Sequence, residues 1–270
     1  MPTTFNARFR TLGWRTEAYI ERDRCTFEER DGFVIMRTPS NPGYFMGNLL
    51  LFDRAPTPGD EERWPRLFDE EFGADERVKH ASFAWSFEGE ETAHIAAFVE
   101  RGYAFQDRAV LTAQDVREFP VPVGLRVRPL QDDRDWSEQL ALGLATREDQ
   151  YEAGPYAKFK AAQVAYHRHL AQAYAAWIGA FDGSRLAGSC GIFPAGEGIA
   201  RYQDVGVLPA YRNRGIARCL IGAAARHARE QFDAHTFVIV AEVNGIARTI
   251  YEHAGFKRSQ REGALWIARR

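Results

Sequence analysis

Apolar residues recur in this chain with two different spacings, and the alternation between them maps out the elements. GFVIMRT (residues 32–38) and NLLLFD (48–53) are short apolar runs bounded by turn-forming residues, which predicts strands. In residues 56–73, Trp64, Leu67, Phe68 and Phe72 recur at i, i+3, i+4 and i+8, the period of a helix. Pro65 falls early enough there to be tolerated in a first turn. KHASFAWS (79–86) predicts a strand, ETAHIAAFVERG (91–102) a helix stopped by Gly102, and YAFQDRAVLTA (103–113) another strand.

REFPVPVG (117–124) interrupts this order. Two prolines in three residues bias their neighbours away from helix and mark a connector. The expected division is therefore a first domain over 1–117 and a second over 124–270. In the second, GLRVRPLQ predicts a strand, and residues 132–150 and 156–177 carry helical periodicity with a break at Gly154-Pro155. Residues 175–209 hold three strand-like runs, joined by a hairpin at Asp182-Gly183 and a longer turn over 195–198. A helix over 213–231, a buried strand over 236–243, a short helix over 245–254 and a strand over 263–268 complete the series. Hairpins followed by strand–helix–strand–helix fit an α+β fold with a mixed α/β sheet.

Composition narrows the class. The chain has 270 residues, 45% hydrophobic and 13% aromatic, too apolar for disorder. Its 35 basic and 37 acidic residues leave a net charge of -2, without the concentrated cations of a nucleic-acid binder. No run approaches the ~18 apolar residues of a membrane helix, and MPTTFNARFR lacks the apolar core of a secretory signal, so a cytoplasmic protein is expected. Cys25, Cys190 and Cys219 are too scattered for a disulfide framework or a cysteine zinc site, Cys190 and Cys219 reading as small core residues. No metal-binding spacing occurs, and His167 and His169 read as surface residues of a polar helix.

Chemistry concentrates in Asp204-Val205-Gly206-Val207-Leu208-Pro209-Ala210-Tyr211-Arg212-Asn213-Arg214-Gly215-Ile216-Ala217. A strand ends at Pro209, an Arg/Gly loop comes next, and a helix opens directly. That helix places Ile216, Cys219, Leu220, Ala223, Ala224 and His227 on one face. Its first N–H groups lack intrahelical partners, Gly215 permits close approach, and Arg212 and Arg214 add cationic donors. Together these form a cradle for an anion such as a pyrophosphate. Neither common nucleotide-loop pattern is present.

Arg212-x-x-Gly215-x-Ala217 resembles the [Q/R]-x-x-G-x-[G/A] loop of the GNAT superfamily of acyl-CoA-dependent N-acetyltransferases. Asn244-x-x-Ala247-x-x-x-Tyr251-x-x-x-Gly255-Phe256 is similar to that family's second signature. The likeness covers roughly residues 124–270. It implies a GNAT fold with a sheet splayed at its fourth strand and acetyl-CoA as cosubstrate. It further implies that Val205, Gly206 and Val207 offer backbone groups to the acetyl carbonyl and pantetheine. Asn213, Arg214, Gly215, Ile216, Ala217 and Arg218 would offer amides to the pyrophosphate, with Arg212 beside them. Asn244 would contact pantetheine, and Tyr251 would stand by the sulfur as general acid. From the residues alone, Asn244 reads as a helix N-cap, with Ile246, Ala247, Ile250 and Ala254 facing a core.

The expected reaction is direct acetyl transfer to a primary amine; a non-catalytic acyl-CoA-binding module is the alternative, and an ATP-dependent enzyme using the same cradle a third class. Partners are an amine-bearing acceptor, with no nucleic acid or membrane, in a monomer or homodimer. The base stays open between Asp204, expected on one strand face with Tyr202 and Gly206, Glu242, and a water chain. AFVERGYAFQDRAVLTA echoes TIYEHAGFKRSQREGALWIA, so the first half reads either as a divergent GNAT-like copy or as an unrelated lid. It lacks the cofactor loop, has Phe98 where the echo has Tyr251, and offers Trp64, Phe68, Phe83 and Trp85 to an acceptor pocket or oligomer contact.

Overall fold

A computed structural model describes residues 9–87 and 94–269. The chain forms two compact units that are not consecutive segments. Unit 1 comprises residues 1–110 with 241–244 and 258–270, and unit 2 comprises 111–240 with 245–257. The expected division at 117–124 thus stands against a first crossing between Val110 and Leu111, and against a return of the C-terminal strand to unit 1.

Unit 1 contains α1 (Leu12–Glu21), β1 (Thr26–Arg30), β2 (Phe33–Arg37), β3 (Leu49–Phe52), α2 (Asp60–Phe72), β4 (His80–Ser86), α3 (Ala96–Glu100) and most of β5 (Ala104–Ala113). Its sheet is completed by β11 (Lys257–Ala268), in the order β1-β2-β3-β4-β11-β5. The strands alternate between two buried layers. Phe33 and Ile35 join the core around Trp64, Phe68, Phe83 and Trp85, whereas Val34 and Met36 join the one around Trp14. A sheet covered on both faces is why these strands read as unbroken apolar runs. Trp64 stacks on Phe52 at 3.8 Å, and Trp64, Phe68, Phe83 and Trp85 are fully buried. They are core, not pocket or interface, which corrects the expectation made for them. Pro65 lies inside α2 rather than in its first turn; the Glu61 carbonyl it cannot bond accepts from Arg101 Nη1 at 2.6 Å. The helix expected over 91–102 is found over 96–100, its first residues lying outside the described ones.

Two elements of unit 1 carry little hydrophobic signal. Helix α1 buries Glu17 and Glu21, Glu17 accepting from the Tyr44 hydroxyl at 2.9 Å and Glu21 pairing with Arg24. Strand β1 (TFEER) is polar and sustained by antiparallel pairing with β2. Strand β11 begins six residues earlier than its apolar stretch, because buried Glu262 accepts from Thr11 Oγ1 and the Trp14 amide at the start of α1.

Unit 2 contains β6 (Leu125–Pro129), α4 (Asp133–Ala145), α5 (Ala153–Ala173), β7 (Ala176–Asp182), β8 (Arg185–Pro194), β9 (Ile199–Val207), α6 (Ile216–Phe232), β10 (Thr236–Glu242) and α7 (Ile246–His253). Its strand order is β10-β9-β8-β7-β6, antiparallel from β6 to β9 and parallel between β9 and β10. Three helix boundaries differ from expectation. Gly154 and Pro155 lie in the first turn of α5, where Pro's missing N–H is harmless, and the break falls over 146–152. Helix α5 stops at Ala173, because Ala176 already pairs in β7. Helix α6 starts at Ile216 rather than 213, leaving Asn213 and Gly215 in left-handed backbone, φ 60° and 79°. The connector is laid on α6: a Cβ at Gly222 would stand 2.8 Å from the Arg117 carbonyl, and Glu118 pairs with Arg226 at 2.5 Å. Among the described residues no helix is long and apolar enough to cross a membrane.

Candidate functional site

Strand β9 is irregular where the sequence placed its chemistry. Its ladder to β8 matches Gly191 with Gln203 and Ser189 with Gly206, so one residue, Cys190, faces two, Asp204 and Val205. This is a β-bulge, and Asp204 sits in it with φ 47°, a left-handed conformation costing a non-glycine residue about 1–2 kcal/mol. On the other side, β9 pairs with β10 from Ile199–Arg201 against Thr236–Val238, and there the described ladder stops although both strands continue. Bulge and splay free the backbone of Val205, Gly206 and Val207 from regular pairing on the β10 side.

The extra residue also inverts the alternation of side chains. Tyr202 faces α6, its hydroxyl donating to the Ile221 carbonyl at 2.7 Å. Gly206 faces α4, since a Cβ there would lie 3.0 Å from Leu142 Cδ2. Asp204 turns toward α5 and pairs with Lys160 Nζ at 3.1 Å. The expectation that Asp204 shares a face with Tyr202 is therefore corrected by the bulge, and its carboxylate is committed to a buried ammonium.

Beyond Val207 a single 3₁₀ turn (Pro209–Tyr211) leads into the loop. Arg212 Nε donates to the Val207 carbonyl at 3.4 Å, and Arg214 lies over the Tyr211 ring at 5.3 Å. Arg212, Asn213 and Arg214 are exposed. Gly215 is the N-cap of α6 and offers no side chain to its first amides, while Ile216, Ala217 and Arg218 add no acidic group. A Cβ on Gly215 would meet nothing nearer than Arg218 Nη2 at 4.0 Å, so no side chain crowds the glycine itself. Arg218 stacks over Phe119 at 5.5 Å. Ile216 anchors the start of α6 on the sheet, where Gly188 has room for both it and the Gly206 carbonyl. The face of α6 is broader than expected, adding Ile221, Gly222, Ala225 and Ala228, with Ala223 and His227 only half-buried.

Tyr251 on α7 is 6% exposed. Burial and nearby Cys190 push its hydroxyl well above the usual tyrosine range, Arg201 opposing them. Cys190 approaches the Leu220 carbonyl at 3.7 Å, which places Tyr251 with α6 on one face of unit 2, the hydroxyl protonated and desolvated. The Tyr251 hydroxyl makes no hydrogen bond among the described residues, its backbone carbonyl accepting from Ala254 and Phe256. Gly245, not Asn244, is the N-cap of α7, and Asn244 is an exposed residue of the preceding turn. Its segment, 241–244, groups with unit 1, as does exposed Glu242. Ile246 is 85% exposed, contrary to the expected core position, whereas Tyr251 and Ala254 are buried. His167 is likewise buried, stacked on Trp177 at 4.6 Å, because α5 packs on β7 at that turn. Cys190 and Cys219 are core residues as expected.

Sequence reasoning missed the bulge and Lys160. The signal available was indirect: Lys160 is one of only 4 lysines among 31 arginines.

Residues 140–256 match the model of the acetyltransferase (GNAT) family. No curated protein matches the sequence. Among solved structures, the chain is similar to a functionally unknown conserved protein from Staphylococcus epidermidis ATCC 12228, at 14% identity, TM-score 0.68, covering 90% of this chain and 93% of that one. A GCN5-related N-acetyltransferase from Kribbella flavida aligns at 14% identity and TM-score 0.64, over 95% and 96% of the two chains. A tandem GNAT protein from the clavulanic acid biosynthesis pathway aligns at 14% identity and TM-score 0.53, over 94% and 87%. The fold is α+β, of the GNAT type, and a tandem GNAT protein shares it along almost the whole chain.

Proposed function

Because residues 140–256 match the acetyltransferase (GNAT) family model, we propose that the chain transfers an acetyl group from acetyl-CoA to the primary amine of an acceptor by direct attack. The observation that carries this reading is the end of β9: a bulged, half-released strand running straight into an uncapped helix start flanked by exposed arginines. That arrangement fits the cosubstrate, since Gly215 caps α6 without a side-chain hydrogen bond and Arg212 and Arg214 are exposed in the loop just before it. The helix dipole supplies only about 0.3–1 kcal/mol, so most of the affinity for a pyrophosphate comes from charge-assisted bonds worth about 1.5–3 kcal/mol each. Acetyl-CoA supplies an activated acyl thioester. Val205, Gly206 and Val207 orient it through backbone groups, and Asn213 through Arg218 hold the pyrophosphate.

Tyr251, protonated at neutral pH, donates its proton to the departing thiolate; burial raises its pKa and so opposes rather than drives that step. An amine of pKa ~10.4 costs about 4–5 kcal/mol to deprotonate at pH 7. Asp204 is engaged by Lys160, which leaves a water chain to take that proton. The same engagement favours a second reading, a module that binds acyl-CoA without turnover.

CoA release from acetyl-CoA over a panel of amines, beside direct CoA binding, separates the two readings. Turnover with at least one acceptor is expected, and affinity without turnover on any would support the module. Arg212→Ala should weaken CoA by about 1–3 kcal/mol; unchanged affinity removes the loop from the site.

A further inference from the structure

Next to the end of β9 lies a buried charge that direct acetyl transfer does not use. Lys160, on α5, is 8% exposed, and its ammonium donates to Asp204 Oδ2 at 3.1 Å and to Gln163 Oε1 at 2.7 Å. Tyr156 and Phe159 flank it, with ring centroids 5.8 and 5.5 Å from Nζ. Room for its stem is made by Gly143 of α4, where a Cβ would stand 3.0 Å from Lys160 Cδ. Leu142, the neighbour of that glycine, covers Gly206 from the same side. Two helices therefore grip the bulge: α5 through the charge pair at Asp204, and α4 through Leu142 at Gly206.

We propose that Lys160 is a positioning residue, whose pairing with Asp204 holds the β9 bulge in the shape that presents Val205, Gly206 and Val207 to the acyl group. The inference rests on the acetyl-transfer reading for its consequence, and on the bulge geometry alone for its structural part. Aspartate has a steric reason to leave φ 47°, and a bulge without restraint can slip by a residue. A slip would return Gly206 to the face of Tyr202 and turn its backbone groups away. The pair opposes this because freeing Asp204 would leave a buried ammonium without its counter-charge. Burial disfavours the charge on Lys160, but Asp204 and Tyr156 outweigh it and raise its pKa, so the clamp stays ionised at neutral pH.

The test compares Lys160→Met, Asp204→Gly and Asp204→Asn in the full chain by amide hydrogen exchange and steady-state kinetics. In the unliganded protein, Lys160→Met should speed exchange of the 203–208 segment about tenfold. It should lower kcat/KM for acetyl-CoA roughly 10- to 100-fold through misplacement of the acyl group. CoA affinity, which depends on the separate loop and helix start, should change less than about threefold. Asp204→Asn keeps an acceptor for Lys160 and tolerates the left-handed backbone but removes the counter-charge, so its exchange and kcat/KM should fall between wild type and Lys160→Met. Asp204→Gly permits the positive φ without enforcing it and should loosen the segment as Lys160→Met does, which serves if that variant fails to fold. Unchanged exchange and unchanged kcat/KM in a folded Lys160→Met or Asp204→Gly protein would overturn the clamp. If wild type binds no CoA, the acetyl-transfer reading fails, while the exchange measurement still decides whether Lys160 holds the bulge.

Discussion

Both units run a strand, β3 or β9, toward a helix that opens on a glycine with positive φ, Gly59 at 94° and Gly215 at 79°, neither giving a side-chain cap. The first helical residues after the two glycines are opposite in charge. Unit 1 continues Asp60-Glu61-Glu62, and fills its helix start from within: Asp60 accepts from the Thr57 amide at 2.8 Å and pairs with Arg54, while Glu61 Oε2 accepts from the Gly59 amide. Unit 2 continues Ile216-Ala217-Arg218 and borders the same position with arginines. Further on, each unit places an aromatic residue four positions before a positive-φ glycine, Phe98 before Gly102 and Tyr251 before Gly255. Phe98 is sealed in an apolar core, and Tyr251 carries a hydroxyl to the face of α6. The backbone device is shared; the charge in the first helical turn and one hydroxyl separate the unit to which we assign acetyl transfer from the one to which we do not.

The hydroxyl gives the largest expected effect. Tyr251→Phe should lower kcat about 10²–10⁴-fold and leave CoA affinity unchanged, measured by single-turnover kinetics and calorimetry. The reciprocal Phe98→Tyr should gain no activity and destabilise unit 1 by about 1–3 kcal/mol, because its hydroxyl would enter a core without a partner. A Tyr251→Phe enzyme with normal kcat would place the acid elsewhere. Next comes the charge. Ala217→Glu copies the acidic start of α2 onto α6 and should weaken CoA roughly 100-fold, the loss of one or two charge-assisted bonds. The same change should stabilise the helix by about 0.3–1 kcal/mol. Opposite signs in binding and stability are the signature; a parallel loss of both would mean simple misfolding.

The loop and the α7 signature were legible because their information is local: spacing, a glycine and arginines within a few residues. Most strands were legible for a similar reason, each being an apolar run sealed on two faces. The bulge was not, because nothing in Gln203-Asp204-Val205 marks a left-handed residue; the group that holds it is an ammonium 44 positions away in sequence. One inserted residue then reversed the face assigned to Asp204. Helix α1 escaped because its buried face contains glutamates, satisfied by Tyr44 and Arg24, and the early part of β11 because Gln260, Arg261 and Glu262 are paired inside unit 1. His167 and Ile246 erred in opposite directions, a polar residue buried by stacking and an apolar one left exposed at a helix start.

Acid should separate the units further. His80 in unit 1 is fully buried, bonded through Nε2 to the Asn48 carbonyl at 3.0 Å and stacked on Phe45 at 4.2 Å. Burial lowers its pKa to about 4, with the Asn48 bond opposing and Arg269 assisting. Between pH 6.5 and 4 the unfolded chain binds a proton that the folded unit refuses. Stability is therefore intact above about pH 6.5 and falls as pH drops toward 4, by about 3 kcal/mol over that window. Urea unfolding followed by exchange of β4 amides at pH 7 and pH 4.5 should show the loss, and His80→Gln should flatten it. An acid response equal in both units, or unaltered in His80→Gln, would assign it to other groups.

The smallest effect tests the self-filled helix start from its own side. Asp60→Ala removes the carboxylate that takes the Thr57 amide and Arg54, and should cost unit 1 about 1 kcal/mol, the usual worth of such a group at a helix start. Burial raises the pKa of Asp60, but Arg54 and Thr57 more than offset it and the net shift is downward. Its contribution is thus present above the ordinary carboxylate pKa and lost as pH falls through the lower folded value, a window below that of His80. CoA affinity should not change, since unit 1 keeps Glu61 and Glu62 at the same turn. If Asp60→Ala leaves stability untouched, the carboxylate is not what fills that start, and the charge contrast between the two helices has a different origin.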